Sequence, residues 1–336
     1  MPLSKVHERI AIGLALNRTC ENGMMNPGKR IAVIGAGFLG KALIRSLLAR
    51  GCDVSVLDRH PPDGNEYGKA SWVTGDFRDQ ALLRATLNGV FIAYHLVAST
   101  VPGDQQVDSA RELNEDVVGT VQFIDACVAS GVRRIVFSSS SSVYGVQETL
   151  PIRESAPTDP ISSHGVHKLT IEKFLLLAKH LHEIDVRILR ISNPYGPGQN
   201  LAGRQGFIAI AIGKIISGEE LILRDEGRAI RDFIFIDDLA RAMVLAGLKD
   251  DVPSVLNIGA GAGHSLAEVI QLMGEILGYS IKTVNTESRR VDIPASVLDV
   301  KLARKALDLS PVVELKAGIL QTLRFHGVRS HAGKIL

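Results

Sequence analysis

The feature that most constrains this sequence is a glycine loop between a short apolar run and a helical pattern. The run IAVI at 31–34 leads directly into GAGFLG at 35–40. In a strand–loop–helix unit, the first glycine permits a tight turn, the second lets a pyrophosphate approach the backbone, and the third lets helix and strand pack closely. Free N–H groups at the helix start then face the phosphate charge. The unit predicts dinucleotide binding by Gly35, Gly37, Phe38, Leu39 and Gly40.

An acid at the end of the next apolar run favours one dinucleotide over another. Asp58 is placed to bind a ribose 2′-hydroxyl, and its charge would repel a 2′-phosphate. NAD is therefore favoured over NADP, although the neighbouring Arg59 weakens this preference. Asp76 follows a third strand-like run and is placed to reach an adenine edge, but a surface turn explains Asp76 equally well.

Short apolar runs alternate with longer helical patterns from Lys29 onwards. This alternation predicts an α/β fold with a Rossmann-type doubly wound parallel sheet. We expect strands at 31–34, 53–57, 72–74, 93–97, 134–138 and 186–190, and helices at 40–50, 80–88, 108–130 and 167–182.

The composition of the sequence changes at Asn193. The segment from there to residue 206 is rich in Gly, Pro, Asn and Gln, which predicts a long loop. We expect a smaller C-terminal substrate-binding domain beyond it. The predicted division is an N-terminal extension at 1–29, an NAD-binding domain at 30–192 joined by parts of 232–262, and a mainly substrate-binding part at 193–330.

Composition argues against several classes of protein. Of the 336 residues, 46% are apolar and 22% are charged, as in ordinary globular proteins. A net charge of +2 gives no reason to expect nucleic acid as a partner. No apolar stretch approaches the roughly 20 residues that span a bilayer. The three cysteines lack metal-ligand spacing, and their odd number without a secretion signal suggests reduced thiols in the cytoplasm. We expect no metal.

Eight motifs, the glycine loop among them, follow one another between about Lys29 and Leu309. They are GAGFLG (35–40), GDFRD (75–79), YHLVAS (94–99), VFSSSSSVYG (136–145), HGVHK (164–168), RISNPYGPGQ (190–199), RDFIFIDDLA (231–240) and LNIGAG (256–261). In order and spacing they resemble the extended short-chain dehydrogenase/reductase family, most closely its nucleotide-sugar epimerases of the UDP-glucose 4-epimerase type. The resemblance implies NAD as cofactor, a nucleotide-sugar substrate such as a UDP-sugar, a role in polysaccharide synthesis, and a homodimer formed by helices near 108–130 and 167–182.

The resemblance also implies roles for individual residues. Ser140 would hydrogen-bond the reacting sugar hydroxyl, and Lys168 would bind the nicotinamide ribose. Asn193 would contact the diphosphate, which Arg231 and Arg289 would grip. Asp292 would contact the nucleoside ribose, and Ser99 would contact the sugar nucleotide. The cofactor would be contacted by Phe77, Leu96 and Ala98.

The catalytic tyrosine of the family is missing. The family pattern is Y-x-x-x-K, whereas this chain has His164 four residues before Lys168. Three interpretations stay open: His164 is itself the base, since an imidazole with a pKa of about 6.5 accepts a proton at neutral pH; the site binds without efficient turnover; or the tyrosine was replaced to trap a complex. His167 is a less favoured base. A second departure is Asp116, which stands where the family has asparagine and could alter how Lys168 is held.

The candidate reactions differ in the groups that they require. Related dehydratases carry Thr-Asp-Glu before V-Y-G, whereas this chain has three serines at 140–142, and hydroxyls cannot replace that carboxylate pair. Epimerisation at C4 needs one base and a retained NAD. In members of the resembled epimerases that exclude N-acetyl groups, the position of Ser296 holds a bulky residue. The small Ser296 therefore favours a UDP-N-acetylhexosamine. The alternatives are a catalytically impaired or non-catalytic binding protein and an NAD(P)-dependent sugar reductase.

Overall fold

A seven-stranded parallel sheet forms the centre of the protein in a computed structural model that describes residues 29–62, 67–98, 108–203, 205–309 and 312–329. The predicted N-terminal extension therefore lies outside the described residues, apart from Lys29. The strands are β1 Arg30–Ile34, β2 Val54–Asp58, β3 Ser71–Thr74, β4 Val90–His95, β5 Arg134–Ser140, β6 Asp185–Ile191, β7 Asn193–Tyr195, β8 Leu221–Arg224, β9 Ile230–Phe235, β10 Val255–Ile258, β11 Gly263–Ser265, β12 Thr283–Thr286 and β13 Ala295–Ser296.

The main sheet has the strand order β3-β2-β1-β4-β5-β6-β10, and every neighbouring pair is parallel. The reversal of order at β1 and β4 is the pattern of a doubly wound sheet. The helices are α1 Phe38–Leu48, α2 Gln80–Leu87, α3 Ser109–Glu112, α4 Gly119–Ala129, α5 Ser163–His182, α6 Phe207–Ser217, α7 Ile236–Leu248, α8 Leu266–Leu277, α9 Lys301–Leu307 and α10 Leu315–Phe325. The predicted α/β fold with a Rossmann-type sheet is confirmed.

Helices cover both faces of this sheet. On one face, α1 and α7 bury Leu43, Leu47 and Met243 against β1 and β4. On the other face, α2, α4 and α5 bury Phe123 and Leu175 among further apolar side chains. Strands that are covered on both faces must be apolar on both, which explains the near-continuous apolar runs in the sequence.

A second, smaller layer follows β6. Strand β9 lies between β11 and β13 and also pairs with β7. Helices α6, α8 and α10 bury a separate core there, which includes Phe233, Phe235 and Met273. The chain returns to the first layer through α7 and through β10, which pairs with β6. Among the helices described, none combines the length and the apolar character that a membrane crossing requires.

Several predicted elements differ from the structure by two or three residues at their ends, and three differ in ways that bear on the site. The helix predicted over 108–130 is interrupted by a π-helix at Leu113–Val118, which separates α3 from α4. A single wider turn changes the helical phase without changing the apolar composition, so periodicity does not reveal it. The helix expected from 167 begins at Ser163, where Ser162 caps it by accepting a hydrogen bond from the N–H of Gly165. The loop predicted from residue 193 opens with β7.

Candidate active site

The carboxyl ends of the parallel strands lie along one edge of the main sheet, and the sequence-predicted residues follow them. Gly35 comes after β1, Asp58 ends β2, Leu96 follows β4, and Ser140 ends β5. In open α/β sheets this edge, at the point where strand order reverses, forms the ligand-binding crevice. The sheet topology therefore places Gly35, Asp58, Leu96 and Ser140 at the same edge of the sheet.

The glycine loop has the backbone that a pyrophosphate requires. Gly35 has a φ of 95°, and a Cβ on Gly40 would lie 2.1 Å from the carbonyl oxygen of Gly35. A Cβ on Gly37 would meet no described atom within 4 Å, so open space lies in front of α1. No side chain of the described residues caps the start of α1, which leaves its N–H groups for an anion.

Asp58 closes the far side of this loop. Its carboxylate accepts hydrogen bonds from the N–H of Ala36 at 2.7 Å and from the N–H of His60 at 2.8 Å. These bonds fix the carboxylate beside the glycine loop, where it can accept from a ribose hydroxyl. The neighbouring Arg59 is exposed. The residues present therefore fit NAD.

Asp76 is engaged by a neighbour. Its carboxylate accepts hydrogen bonds from Nε of Arg78 at 3.0 Å and from Nη2 of Arg78 at 2.7 Å. These side-chain hydrogen bonds lower the pKa of Asp76 to about 2, so Asp76 is an anion at neutral pH. A contact between Asp76 and an adenine edge stays a prediction.

The other predicted cofactor residues differ in their burial and in the face of the sheet on which they lie. Phe38, Leu39 and Leu96 are half-buried against the core under α1, and Leu96 donates its N–H to the carbonyl of Ile34. Phe77 is buried on the opposite face of the sheet, and Ala98 is exposed. Ser99 lies outside the described residues.

Lys168 is a buried cation on α5. Its Nζ donates a hydrogen bond to the carbonyl of Ser138 at 2.7 Å and lies 4.6 Å from the centroid of the Phe137 ring. Burial lowers the pKa of Lys168 to about 8, against the opposing effects of Asp116 and Glu172. Lys168 is therefore mostly charged at neutral pH but close to the pH at which it loses its proton.

Ser140 and His164 lie on the two elements that meet at this edge. Ser140 accepts hydrogen bonds from the N–H and the hydroxyl of Ser142, at 3.2 and 2.9 Å. His164 is the second residue of α5 and is buried. It stands one helical turn before Lys168, so both side chains leave the same face of the helix. The arrangement offers one hydroxyl, one imidazole and one ammonium for proton transfer.

A buried polar cluster lies beneath this face, and sequence reasoning singled out His167 and Asp116 but not their contact, nor His95 and Thr120. His167 Nδ1 lies 3.8 Å from Oδ2 of Asp116, and both residues are buried. The Oγ1 of Thr120 donates to the carbonyl of Asp116 and lies 3.3 Å from Nε2 of His95. Burial, with a further contribution from Lys168, lowers the pKa of His95 to about 3. His95 is thus neutral at physiological pH.

A second buried network lies one turn further along α5. Glu172 accepts hydrogen bonds from Nε and Nη2 of Arg190 and from the hydroxyl of Ser139. Arg190 also donates to the hydroxyl of Tyr144, which donates to Asn257 at 2.6 Å. Arg190, a buried charged residue next to the end of β6, was the sequence signal for this network.

The second layer contributes the predicted substrate residues. Asn193 donates its side-chain N–H to the carbonyl of Asp232 at 3.0 Å. The Asp232 carboxylate accepts from the backbone N–H groups of Ala260, Gly261 and Leu298, which joins β9 to the segments after β10 and β13. Burial raises the pKa of Asp232 to about 6 despite these hydrogen bonds.

The predicted diphosphate arginines lie near one carboxylate. Arg289 donates to Asp292 from Nη2 at 2.6 Å and from Nε at 3.1 Å. Burial lowers the pKa of Arg231, an effect that Asp292 opposes. Arg231 is also the register partner of Ser296 in the β13–β9 pair. The structure therefore brings Arg231, Arg289, Asp292 and Ser296 together on the second layer.

The protein combines a Rossmann sheet, a buried lysine on α5 and a second layer that carries arginines. These features define a dinucleotide-dependent enzyme of the extended short-chain dehydrogenase/reductase class. The chain belongs to the NAD dependent epimerase/dehydratase family, whose sequence model matches residues 31–259. This result confirms the predicted family and its NAD cofactor.

Individual relatives agree with this membership. The UDP-glucose 4-epimerase of Mycolicibacterium smegmatis is 30% identical over 313 residues, covering 88% of this chain and 98% of the relative. The crystal structure of the Thermotoga maritima UDP-glucose 4-epimerase with UDP-glucose has a TM-score of 0.82 at 28% identity, and the match covers 88% of this chain and 98% of that one. MoeE5, solved with UDP-glucuronic acid and NAD, has a TM-score of 0.80 at 30% identity, with the same coverage.

Proposed function

We propose that this chain is an NAD-dependent nucleotide-sugar 4-epimerase that acts on a UDP-hexose or a UDP-N-acetylhexosamine. The observation that carries the proposal is the joint presence of Ser140 and Lys168 at the sheet edge and of Arg231 and Arg289 on the second layer. A reductase acting on a small carbonyl would have no use for two arginines, whereas a nucleotide diphosphate carries two charges that guanidinium groups bind well.

The activities for which the relatives are named support the same proposed function. The Mycolicibacterium and Thermotoga relatives are UDP-glucose 4-epimerases, and the Thermus thermophilus UDP-glucose 4-epimerase, 27% identical, was solved with NAD. These relatives favour a functional enzyme over a non-catalytic binding protein. The three serines at 140–142 still argue against dehydration, because they leave the hydride-accepting site without a neighbouring carboxylate pair.

The mechanism assigns a task to each residue at the sheet edge. Ser140 orients the 4-hydroxyl of the sugar, and His164 accepts the proton of that hydroxyl as a neutral imidazole. Lys168, one turn away, repels a second positive charge and so favours a neutral His164 before the substrate proton arrives. Held by the glycine loop and Asp58, NAD would supply the reversible hydride acceptor that epimerisation at C4 requires.

The substrate half holds the nucleotide while the keto sugar rotates. Arg231 and Arg289 bind the diphosphate, Asn193 donates to it, and Asp292 contacts the nucleoside ribose. Because Asp292 already accepts two hydrogen bonds from Arg289, the two side chains are ordered before substrate arrives, which lowers the entropic cost of binding.

The small side chain of Ser296 favours an acetamido substrate. Ser296 is buried and is paired in register with Arg231, so its small side chain lies beside a predicted diphosphate contact. We expect calorimetry to show binding of UDP-N-acetylglucosamine, and Ser296→Tyr to weaken that binding while UDP-glucose is retained. Binding of UDP-glucose without binding of UDP-N-acetylglucosamine by the native chain would reject the acetamido substrate.

Proton NMR of the sugar nucleotide tests the activity itself. The native chain, incubated with UDP-N-acetylglucosamine or UDP-glucose, should produce the 4-epimer without net NADH. Lys168→Met should fail to do so, while Lys173→Met, at an exposed position on the same helix, should be active. Steady consumption of NADH by the native chain would instead identify a reductase.

The chain also presents a surface that suits a second copy of itself. On α5, Phe174, Leu177 and Leu181 are exposed at helical spacing, with Leu181 60% exposed. Leu113 and Val118 are exposed on the neighbouring π-helix. We infer a homodimer in which these helices from two copies pack together, since large exposed apolar patches commonly mark interfaces and closed two-fold dimers are the commonest assembly.

The free cysteines and the reaction product both bear on where this enzyme acts and what it serves. A free, buried Cys127 and a free Cys52 favour a reducing compartment, so the cytoplasm stays the proposed location. Epimerised UDP-sugars are donors for glycosyl transfer, and polysaccharide synthesis stays the proposed role.

A further inference from the structure

Three of the sequence motifs meet in one buried chain of hydrogen bonds to which the proposed mechanism gives no task. Tyr144 belongs to VFSSSSSVYG, Arg190 to RISNPYGPGQ and Asn257 to LNIGAG. These three side chains are 0%, 6% and 0% exposed. Buried polar groups are costly unless their hydrogen-bonding atoms have partners, so a satisfied network fixes the elements that it joins.

One end of this chain lies at the catalytic edge of the main sheet. Arg190 donates from Nε and Nη2 to Glu172 on α5, at 2.7 to 3.2 Å. Glu172 accepts a further hydrogen bond from the hydroxyl of Ser139 on β5. Ser139 directly precedes Ser140 and follows the residue whose carbonyl accepts from Lys168 Nζ at 2.7 Å. The ion pair therefore fixes the strand end on which Lys168 and Ser140 depend for their positions.

The other end of the chain lies between the two layers. The side-chain N–H groups of Asn257, on β10, donate to the carbonyls of Ile152 at 2.9 Å and Asp299 at 3.3 Å. The backbone of Ile152 donates to the carbonyl of Val297 and accepts from the N–H of Asp299, both at 2.8 Å. Val297 directly follows Ser296, the last residue of β13. Asn257 thus holds the segment that leaves the substrate layer beside Ser296.

The hydroxyl of Tyr144 joins the two ends. It accepts a hydrogen bond from Arg190 Nη1 at 3.0 Å and donates one to Asn257 Oδ1 at 2.6 Å. A guanidinium only donates and an amide oxygen only accepts, so the group between them must do both, as a hydroxyl does. Burial raises the pKa of Tyr144, so the hydroxyl keeps the proton that it donates. Glu154 also contacts both neighbours, but it meets Asn257 at the backbone N–H and does not orient the amide.

We propose that Tyr144 is a positioning residue that sets how the substrate layer lies over the catalytic edge. Through Asn257 it fixes the segment after Ser296, and through Arg190 it fixes the strand end that carries Ser140. A sugar nucleotide held by the second layer then meets Ser140 at the distance that the reaction needs, and a displacement of about 1 Å can lower a rate about 100-fold. This inference rests on the proposed 4-epimerase function.

The experiment compares two tyrosine hydroxyls. Tyr144→Phe removes the hydroxyl and keeps the ring, which packs with Leu298 between the layers. It should lower the epimerisation kcat by about tenfold or more, while the Kd values of NAD and UDP, measured by calorimetry, stay unchanged. The matched control is Tyr94→Phe. Tyr94 is also fully buried and donates to the carbonyl of Met243 at 3.2 Å, and its loss should leave kcat unchanged.

Thermal melts separate positioning from a merely structural role. Both variants lose a buried hydrogen bond and should melt earlier, but only Tyr144→Phe should lose kcat at a temperature where both are folded. Asn257→Ser gives the same test if Tyr144→Phe folds poorly. A native kcat in Tyr144→Phe, or a fall matched by an equal loss of UDP affinity, would overturn the proposal. Absence of epimer with the native chain would instead reject the proposed function, and this inference with it.

Discussion

At the scale of single residues, the site depends on a lysine that the fold makes expensive to charge. Lys168 could be located from the sequence, because its spacing of four residues from His164 and its place in the motif are local features. Its environment could be predicted only in part: the family pattern pointed to Asp116, but not to Phe137 on β5 or to Glu172 on α5 itself. The contact between His167 and Asp116 was likewise hidden, because the π-helix that places Asp116 leaves no mark in the apolar pattern.

The lowered pKa of Lys168 predicts opposite effects on activity and stability. Its pKa of about 8 in the folded protein lies below the ordinary 10.5, so burial of the charged lysine destabilises the fold below pH 8. Lys168→Met should therefore raise the stability of the cofactor-free protein at pH 7 by on the order of 1 kcal/mol, since the lost hydrogen bond to Ser138 offsets part of the gain. Thermal melts across pH should show this advantage disappearing by about pH 10.5.

Activity should follow the charged lysine. We expect kcat to fall as pH rises through about 8, where Lys168 loses its proton. Lys168→Met should lower kcat by about 100-fold or more, the range for loss of a group that assists proton transfer. Activity that persists unchanged to pH 10 would contradict this role.

At the scale of elements, the glycine loop and the helix after it were predictable from the sequence, because three glycines at fixed spacing specify the turn, the approach and the packing, although α1 begins and ends two residues earlier than predicted. The helix over 108–130 was only partly readable. Its apolar positions continue through the π-helix, and the change of phase becomes visible only from the buried Asp116 and Val117. The loop after Asn193 hid β7, because a three-residue strand is too short for an alternating pattern.

Two substitutions separate cofactor binding from folding within one loop. A Cβ at Gly37 would enter open space, so Gly37→Ala should fold normally but weaken NAD binding by about 1–3 kcal/mol, as the methyl group occupies the place of the pyrophosphate. A Cβ at Gly40 would lie 2.1 Å from the carbonyl oxygen of Gly35, so Gly40→Ala should lower stability itself. Calorimetry with NAD and thermal melts measure the two effects, and equal stability losses in both variants would contradict the account.

At the scale of the whole molecule, the class of fold was predictable and the meeting of its two layers was not. The alternation of apolar and helical patterns identified the parallel sheet. The anchor between the layers is Asp232, which accepts from backbone N–H groups of residues about 30 and 65 positions away along the chain. Contacts between residues so far apart along the chain depend on the completed topology, so no local sequence pattern predicts them.

Assembly is the property of the whole molecule that a surface substitution tests best. Leu177→Glu combined with Leu181→Glu should convert the proposed dimer to a monomer, because two charges would be buried at the centre of the paired helices. Ile222→Glu, at an exposed apolar position on β8, should leave the dimer intact. Light scattering after size-exclusion chromatography distinguishes the two masses, and a double variant that is still dimeric would place the interface elsewhere.

The most direct test of the central claim is epimerisation in D₂O with the native chain and UDP-N-acetylglucosamine, followed by NMR. A 4-epimerase that removes and returns the hydride within one site should give the 4-epimer with hydrogen retained at C4 and with no free NADH. Deuterium at C4, accumulation of NADH, or failure to form the epimer would contradict the account.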